Sequence, residues 1–154
     1  MPIKSSINAA KIEAEINERL QGKKRYLIEQ LFYIAEECLN NARDNHVYQA
    51  QTGNLQSSVG YCILDNGEVI NAGVWEPRPG KHGDGKEGMQ KGIEFLNKIA
   101  QEQPRRGITF LMVAGMPYAK YVEDMSLDVL DTSEQMAIKK VKELVARVVR
   151  QSQQ

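Results

Sequence analysis

Apolar residues recur every three to four positions over the first third of the chain, which is the spacing of one face of an α-helix. A short stripe comes first, at Ile12, Ile16 and Leu20, and Gly22 follows it. We therefore expect a first helix, capped by Ser5 or Ser6, that ends at Gly22. A second helix is expected over residues 23–45, because a longer stripe continues there: Leu27, Leu31, Ile34, Ala35, Cys38, Leu39 and Ala42.

The pattern then changes to that of β-strands. Residues 58–64, SVGYCIL, form a run rich in apolar and aromatic residues that predicts a strand. Asp65-Asn66-Gly67 predicts a tight turn, since Asn-Gly tolerates the positive φ angles of short hairpin loops. Residues 68–75 are expected to return as the second strand of a β-hairpin.

A loop and a third helix come next. Residues 76–88, EPRPGKHGDGKEG, contain two prolines, four glycines and no apolar residue, so they predict a mobile surface loop. The third helix is expected to end at Pro104 and Gly107. Residues 108–114, ITFLMVA, predict a strand buried on both sides. The apolar face of the third helix is predicted to consist of Met89, Ile93, Leu96 and Ile99.

The C-terminal part predicts one more helix. Residues 128–130 suggest a short edge strand, and Tyr118 to Met125 is ambiguous, with one helical turn or more as the options. Thr132 to Gln135 matches a capping box, with Thr132 as the N-cap. The inner face of the helix is predicted to carry Ala137, Val141, Leu144, Val145 and Val148.

This order of elements predicts an α+β fold, in which a small, mostly antiparallel sheet packs with N-terminal helices, one inserted helix and a C-terminal helix. The 154 residues are the length of one domain, so residues 1–154 are expected to be a single domain with a core over about 7–149. Lys and Arg number 20, as do Asp and Glu, giving a net charge of zero. A basic excess, usual for proteins that bind duplex DNA alone, is missing.

The cysteines and the apolar runs bear on the compartment. Cys38 and Cys62 lack metal-site spacing, so buried free thiols in a reducing cytoplasm are expected. The N-terminal residues contain no apolar signal core, and the longest uncharged run is too short to span a bilayer. A soluble chain that is not secreted by a signal peptide is expected.

The loop at residues 76–88 carries two patterns that resemble phosphate-binding motifs, GKHGDGKE and GDGKEG. Glycines in such loops let backbone N–H groups approach a phosphate at a helix N-terminus. Here Glu87 stands where a hydroxyl should bind Mg²⁺, two prolines separate the loop from the strand, and no βαβ unit surrounds it. A surface loop is therefore favoured over nucleotide binding.

Other candidate chemistry is weak. Ser57 and Ser58 follow His46 but do not lie in a GxSxG motif, and His82 is the only other histidine. An acidic group near the C-terminus could hold Mg²⁺, but a solvated rim is favoured, because no other site residues converge there: Glu123, Asp124, Asp128 and Asp131. We predict no catalytic residue, no metal and no cofactor.

Aromatic residues could stack on the bases of single-stranded nucleic acid, but such binders combine stacking with a positively charged groove. Core packing or a protein interface is the favoured use here. The residues are Tyr61, Trp75, Phe110, Tyr118 and Tyr121.

Two segments carry a family resemblance. Residues 51–61, QTGNLQSSVGY, resemble the "(D)TGxLxxSI" segment of the tailed-phage head–tail joining proteins, also called neck or tail-completion proteins, of the lambdoid-siphophage type. Residues 113–125, VAGMPYAKYVEDM, resemble the "YAxYVE" segment of the same family. The likeness extends over about residues 7–149. The matching residues, which are also the interface candidates, are Thr52, Gly53, Asn54, Leu55, Ser57, Ser58, Tyr118, Ala119, Tyr121, Val122 and Glu123.

The sequence departs from the family pattern in three places. Gln51 replaces the usual aspartate, Asp124-Met125 replaces a Gly-Thr pair, and residues 76–103 form a longer insert than in the shortest relatives. These differences bear on the details of the interface and leave the expected fold unchanged.

The resemblance implies a non-catalytic virion component at the head–tail junction or tail terminus, built from several copies in a ring. It implies neck, portal and tail proteins as partners, with no membrane and no sequence-specific nucleic acid. The expected location is the virion, and the host bacterial cytoplasm during assembly; the free protein could be a monomer. The alternatives are a small phage-encoded binding module or regulator that acts on nucleic acid or a host protein, and a metal-dependent phosphodiesterase.

The first motif also has a direct physical interpretation. The Thr52 hydroxyl can cap a short helical turn, Gly53 allows a positive φ or a close backbone approach, and Leu55 can point into the core. Ser57 and Ser58 would then begin the strand. For Glu123, two uses stay open: accepting hydrogen bonds from a neighbouring subunit, or from the Thr52 region within one chain.

Overall fold

The structure is a computed structural model that describes residues 9–44, 52–117, 119 and 129–152. A three-stranded antiparallel sheet lies between α1 and α4 on one face and α3 on the other, which confirms the predicted α+β class. The elements in chain order are α1 (Ala9–Asp44), α2 (Asn54–Ser57), β1 (Val59–Asp65), β2 (Glu68–Ala72), α3 (Lys86–Glu102), β3 (Ile108–Ala114) and α4 (Asp131–Ser152).

The central strand is β1, and the strand order is β2-β1-β3. Val59, Tyr61 and Ile63 face α1, whereas Cys62 and Leu64 face α3. The strand buried on both sides is therefore β1. The prediction of such burial for residues 108–114 was wrong: β3 is an edge strand, and Val113 is its one fully buried residue. A short apolar run does not distinguish a central strand from a half-covered edge strand.

The β-hairpin has the predicted turn, with Asn66 at φ 53° and Gly67 at φ 84°. Strand β2 ends at Ala72, three residues before the predicted end at Trp75. The Gly73 N–H still donates to the Tyr61 carbonyl at 3.2 Å. The next carbonyl, that of Val74, accepts a hydrogen bond from the Arg43 side chain instead, and the chain leaves the sheet there.

The predicted break at Gly22 was wrong, because α1 runs as one helix of 36 residues through that position. Glycine in a helix interior costs only about 1 kcal/mol relative to alanine. Strong helix formers on both sides of Gly22 offset that cost. At 1.5 Å per residue the helix is about 54 Å long.

Helix α4 packs antiparallel on α1. The buried Ser133 hydroxyl donates to the Cys38 carbonyl at 3.1 Å and accepts from the Asn41 carboxamide at 2.9 Å. Two turns further along α4, Lys140 forms an ion pair with Glu37. From Ser133 to Lys140 the contacts move towards the C-terminus of α4, while on α1 they move from Asn41 back to Glu37. The two helices therefore run in opposite directions.

Three details of the C-terminal prediction were wrong. The helix begins at Asp131, so Thr132 is its second residue and not its N-cap. Val145 is 47% exposed, while Leu144 beside it is fully buried. Val129 and Leu130 form a bend and not an edge strand, and Asp128 lies outside the described residues.

The buried residues of helix α3 are Gly88, Gly92, Leu96 and Ala100; Gly88 lies against Asn54 of α2, and Leu96 and Ala100 pack on the sheet. Leu96 was predicted in this face, but Met89, Ile93 and Ile99 are only half-buried. The missing Cβ of Gly92 explains the shift, because the Ser58 backbone and the Trp75 ring occupy the place where it would lie. The closest approach of helix to sheet is thus made by small residues, which the apolar pattern does not reveal.

Candidate functional site

The candidate site is the junction between α1 and β1, where the first family-like segment lies. The Thr52 hydroxyl accepts a hydrogen bond from the Asn54 N–H at 3.2 Å, immediately before the single turn of α2. Gly53 has φ +78°, and the Arg78 carbonyl lies where its Cβ would project. The predicted close backbone approach at Gly53 is confirmed. The predicted hydroxyl cap was wrong, because Gly53 is the N-cap of α2 and no side chain caps that helix; the Thr52 hydroxyl lies one position earlier.

The glycine- and proline-rich loop docks on this junction. The Ser57 hydroxyl accepts the Arg78 N–H at 2.6 Å and donates to the Arg78 carbonyl at 3.0 Å. The Gln56 carboxamide donates to the Pro79 carbonyl at 3.4 Å. At the outer end, the Arg78 guanidinium pairs with Asp44 of α1 at 2.8 Å. The loop that composition predicts to be mobile is therefore tied to the motif by hydrogen bonds between motif side chains and the loop's main chain.

The N-terminus of α3 is occupied by groups of the chain itself. The Asn54 carboxamide oxygen accepts the Gly88 N–H at 3.0 Å, and the Asp84 carboxylate accepts the Lys86 N–H at 3.0 Å. These are N–H groups that a phosphate-binding loop would offer to its ligand. The resemblance of GDGKEG to a phosphate loop is explained by this docking: the glycines allow the junction and the loop to approach closely.

The structure brings the two family-like segments together. Leu55 of the first segment is 6% exposed and Ala119 of the second is 8% exposed, and both belong to one apolar cluster with Met116 and Val129. The Ala119 N–H also donates to the Met116 carbonyl at 3.0 Å. The predicted core position of Leu55 is confirmed.

Ser57 and Ser58 lie just before the strand and not at its start, where they were predicted. Ser57 is the last residue of α2, and β1 begins at Val59. Both side chains are fully buried, and the Ser58 hydroxyl donates to the Leu55 carbonyl at 2.6 Å. Their hydroxyls thus hold the junction together. Four interface candidates of the second segment, and His46, lie outside the described residues: Tyr118, Tyr121, Val122 and Glu123.

The residue that the sequence reasoning missed is Arg43. It is only 4% exposed, and its guanidinium donates to the Val59 carbonyl at 2.8 Å and 3.2 Å and to the Val74 carbonyl at 3.0 Å. Its central carbon also lies 5.9 Å from the centroid of the Trp75 ring. A signal was present, because Arg43 follows Leu39 by four residues on the apolar stripe of α1.

Burial changes the pKa values of ionisable side chains around the junction and in the core. Loss of solvation lowers the pKa of the Arg43 guanidinium, and the neighbouring charge of Arg78 lowers it further. The Tyr61 hydroxyl donates to Glu36 at 2.6 Å, and burial followed by that hydrogen bond raises the pKa of the phenol. Burial also raises the pKa of the Cys38 thiol, and raises that of Cys62 to about 11. Both thiols are therefore protonated and weakly nucleophilic at neutral pH.

The raised pKa of Cys62 predicts an alkaline loss of stability. In the unfolded chain the thiol ionises near its ordinary pKa of 9.0, whereas in the folded chain it stays protonated up to about 11. The folded state thus binds the extra proton, so stability falls as pH rises from about 9 to about 11, by up to about 1.4 kcal/mol per pH unit. Urea unfolding at several pH values should show a shallower decline for Cys62→Ala than for the unsubstituted chain. Equal slopes would contradict this role.

The aromatic residues that could have stacked on nucleic-acid bases pack against the protein. Tyr61 is fully buried and meets Phe110 edge to face, with 6.0 Å between the ring centroids. The indole of Trp75 lies where a Cβ on Gly60 would project. The favoured prediction of core packing is confirmed for these three rings, whereas Tyr118 and Tyr121 lie outside the described residues.

The remaining candidate groups do not converge. Within residues 9–44, 52–117, 119 and 129–152, no group of three or more His, Cys, Asp or Glu residues could hold a metal ion. Of the predicted acidic cluster only Asp131 belongs to this part of the chain, and His82 is exposed in the loop. Of the helices described, none is both long enough and apolar enough to cross a membrane.

Comparisons with protein-family models, with curated proteins and with solved structures return no match to this chain. The features of this chain that bear on its function are the junction and the two sequence segments that meet there.

Proposed function

We propose that this protein is a non-catalytic structural component of a tailed-phage or prophage virion, acting at the head–tail junction or tail terminus. In this role, several copies form a ring that joins capsid to tail. Neck, portal and tail proteins are its partners, and its location is the virion, after assembly in the bacterial cytoplasm.

The observation that carries the proposal is the meeting of the two family-like segments. Leu55 and Ala119 are 64 positions apart in the sequence, yet they belong to one buried cluster. Two chance matches to a family pattern would have no reason to be neighbours in space. Their contact supports a shared structural origin for the two segments.

The hydrogen bonds of the junction also support a structural role. The hydroxyls of Thr52, Ser57 and Ser58 and the carboxamide of Asn54 all have hydrogen-bond partners within the chain. Polar groups held in this way fix the geometry of a loop and a helix. A nucleophile would need an adjacent general base and an approach path for substrate.

Reconstitution with partner proteins tests the proposal. The purified chain should be measured by light scattering and negative-stain microscopy, alone and mixed with the portal and tail proteins of the same genome. We expect discrete rings, either alone or on the portal or tail end. A chain that forms no ring and binds none of these proteins would overturn the proposal.

A catalytic activity would overturn it independently. A metal-dependent nuclease or ATPase activity that copurifies with the chain and disappears in Lys86→Ala or Asp128→Ala would assign the protein to an enzyme class. The absence of heat on titration with Mg²⁺ or Mn²⁺ is the result that the structural role predicts.

A further inference from the structure

Among the residues that the structure describes, the sheet has two open edges. Within the described part of the chain, no strand pairs with the outer edge of β2 or with the outer edge of β3. Both strands are antiparallel to β1, so they run in the same direction. Open edges present unpaired backbone N–H and C=O groups that can pair with another chain.

Strand β2 and the residue just after its end also expose large apolar side chains. Val69 is 51% exposed, Ile70 42% and Val74 69%. Nine large apolar residues are exposed in the described part of the chain, and three of them lie within these six positions. Neither a proline nor a lysine protects β2, although such residues commonly block edge strands.

The edge of β3 offers a surface of matching character. A groove of about 410 Å³ lies between β3 and α4, lined by Phe110, Leu111 and Met112 on the strand and by Ala137 and Ile138 on the helix. Ile138 is 48% exposed. An incoming strand at β3 would therefore gain both backbone pairing and apolar contact.

The charges at the two edges are complementary. Asp65 pairs with both Glu68 and Ile108, so β2 and β3 begin at the same end of the sheet. Glu68 is exposed at the first position of β2, and Arg106 is exposed two residues before β3. If β2 of one copy lay beside β3 of the next, these opposite charges would lie at the same end of the sheet, two residues apart in register.

We infer that the partner of the β2 edge is the β3 edge of a second copy of this chain, paired in parallel. The contact is heterologous: each copy pairs through its β2 edge with one neighbour and through its β3 edge with the other. Repetition of this contact closes a ring or extends a filament. This inference deepens the proposed function and rests on it for the closed ring. The alternative β2-to-β2 contact would be antiparallel and would stop at a dimer.

Engineered cysteines distinguish the two contacts. Val69 and Thr109 both pair with Leu64 from opposite sides, so their side chains lie on the same face of the sheet, on opposite edges. Two strand spacings, about 10 Å, separate them within one chain, which is too far for an internal disulfide. An equimolar mixture of Val69→Cys and Thr109→Cys chains should give a heterodimer on mild oxidation as the main product. The native thiols are buried and should stay reduced.

The double variant, Val69→Cys with Thr109→Cys in one chain, should give a ladder of linked copies that ends in a closed species. Crosslinking of Val69→Cys with itself but not with Thr109→Cys would overturn the inference in favour of a dimer. The absence of any crosslink in the mixture would also overturn it. If rings still form without crosslinks, the interface is wrong but the proposed function stands.

Charge reversal gives a second test that does not depend on disulfide geometry. Glu68→Arg alone and Arg106→Glu alone should each weaken self-association by roughly fivefold, because like charges then face each other. In a mixture of the two variants, every contact between unlike copies has opposite charges again, so association should recover with the two variants in alternation. Val69→Lys should weaken association, whereas Val145→Lys on α4, matched in exposure at 47%, should leave it unchanged. Failure of the mixture to recover, or equal effects of the two lysine variants, would contradict the assignment.

Discussion

Gly53→Ala is expected to destabilise the protein by about 2–4 kcal/mol. At φ +78° a side chain costs about 1–2 kcal/mol in backbone strain. The new Cβ would also meet backbone atoms of Arg78, Pro79 and Gly80, which hold the docked loop and have little room to move. The midpoint of urea unfolding measures the change, and hydrogen exchange in residues 76–88 should rise with it.

Gly22→Ala is the matched control for that variant. The substitution is identical, but nothing lies within 4 Å of the new Cβ, and the residue is in the middle of α1. Alanine should therefore stabilise the protein by about 0.5–1 kcal/mol. If Gly53→Ala were as stable as the unsubstituted chain, the close contact between junction and loop would be contradicted. A loss of stability in Gly22→Ala would contradict the continuous helix.

Arg43→Met is expected to cost about 2–4 kcal/mol. The methionine fills much of the space, but the buried Val59 carbonyl loses its donor, whereas the part-buried Val74 carbonyl can bond to water instead. Relief of the buried charge offsets part of this cost. The stability of Arg43→Lys should lie between that of the unsubstituted chain and that of Arg43→Met, because one ammonium group lacks the planar guanidinium that donates to both carbonyls. Chemical denaturation monitored by Trp75 fluorescence measures both variants.

Arg147→Met on the exposed side of α4 is the control, and it should change stability by less than about 0.5 kcal/mol. Equal effects at Arg43 and Arg147 would show that the buried guanidinium contributes nothing special. Retained stability in Arg43→Met with a loss in Arg43→Lys would indicate that only the volume of the side chain matters.

The elements that sequence alone predicts well are those with a strong local signal. The hairpin turn at Asn66-Gly67 and strand β1 fall where the pattern places them, because turn chemistry and apolar runs act over a few residues. Helix breaks, and which strand lies at the edge of the sheet, were less predictable. Gly22 does not interrupt α1, and β3 lies at the edge of the sheet, since both outcomes depend on the surrounding structure.

The candidate site likewise has some features that the sequence predicts and others that it does not. Gly53 and Leu55 have the predicted roles because a short motif determines them locally. The contact between Asn54 and Gly88 joins residues 34 positions apart, so no periodicity reveals it. The Gly-rich loop resembles a phosphate-binding loop for the same reason, because close backbone approach requires glycine whether the partner is a phosphate or another part of the chain.

The most direct test of the proposed head–tail role is particle assembly by the phage or prophage to which the proposal assigns the gene. With the gene deleted, the account predicts DNA-filled heads and complete tails that remain separate in electron micrographs, and addition of the purified protein should join them. Infectious, fully joined virions produced without the protein would contradict a role at the head–tail junction.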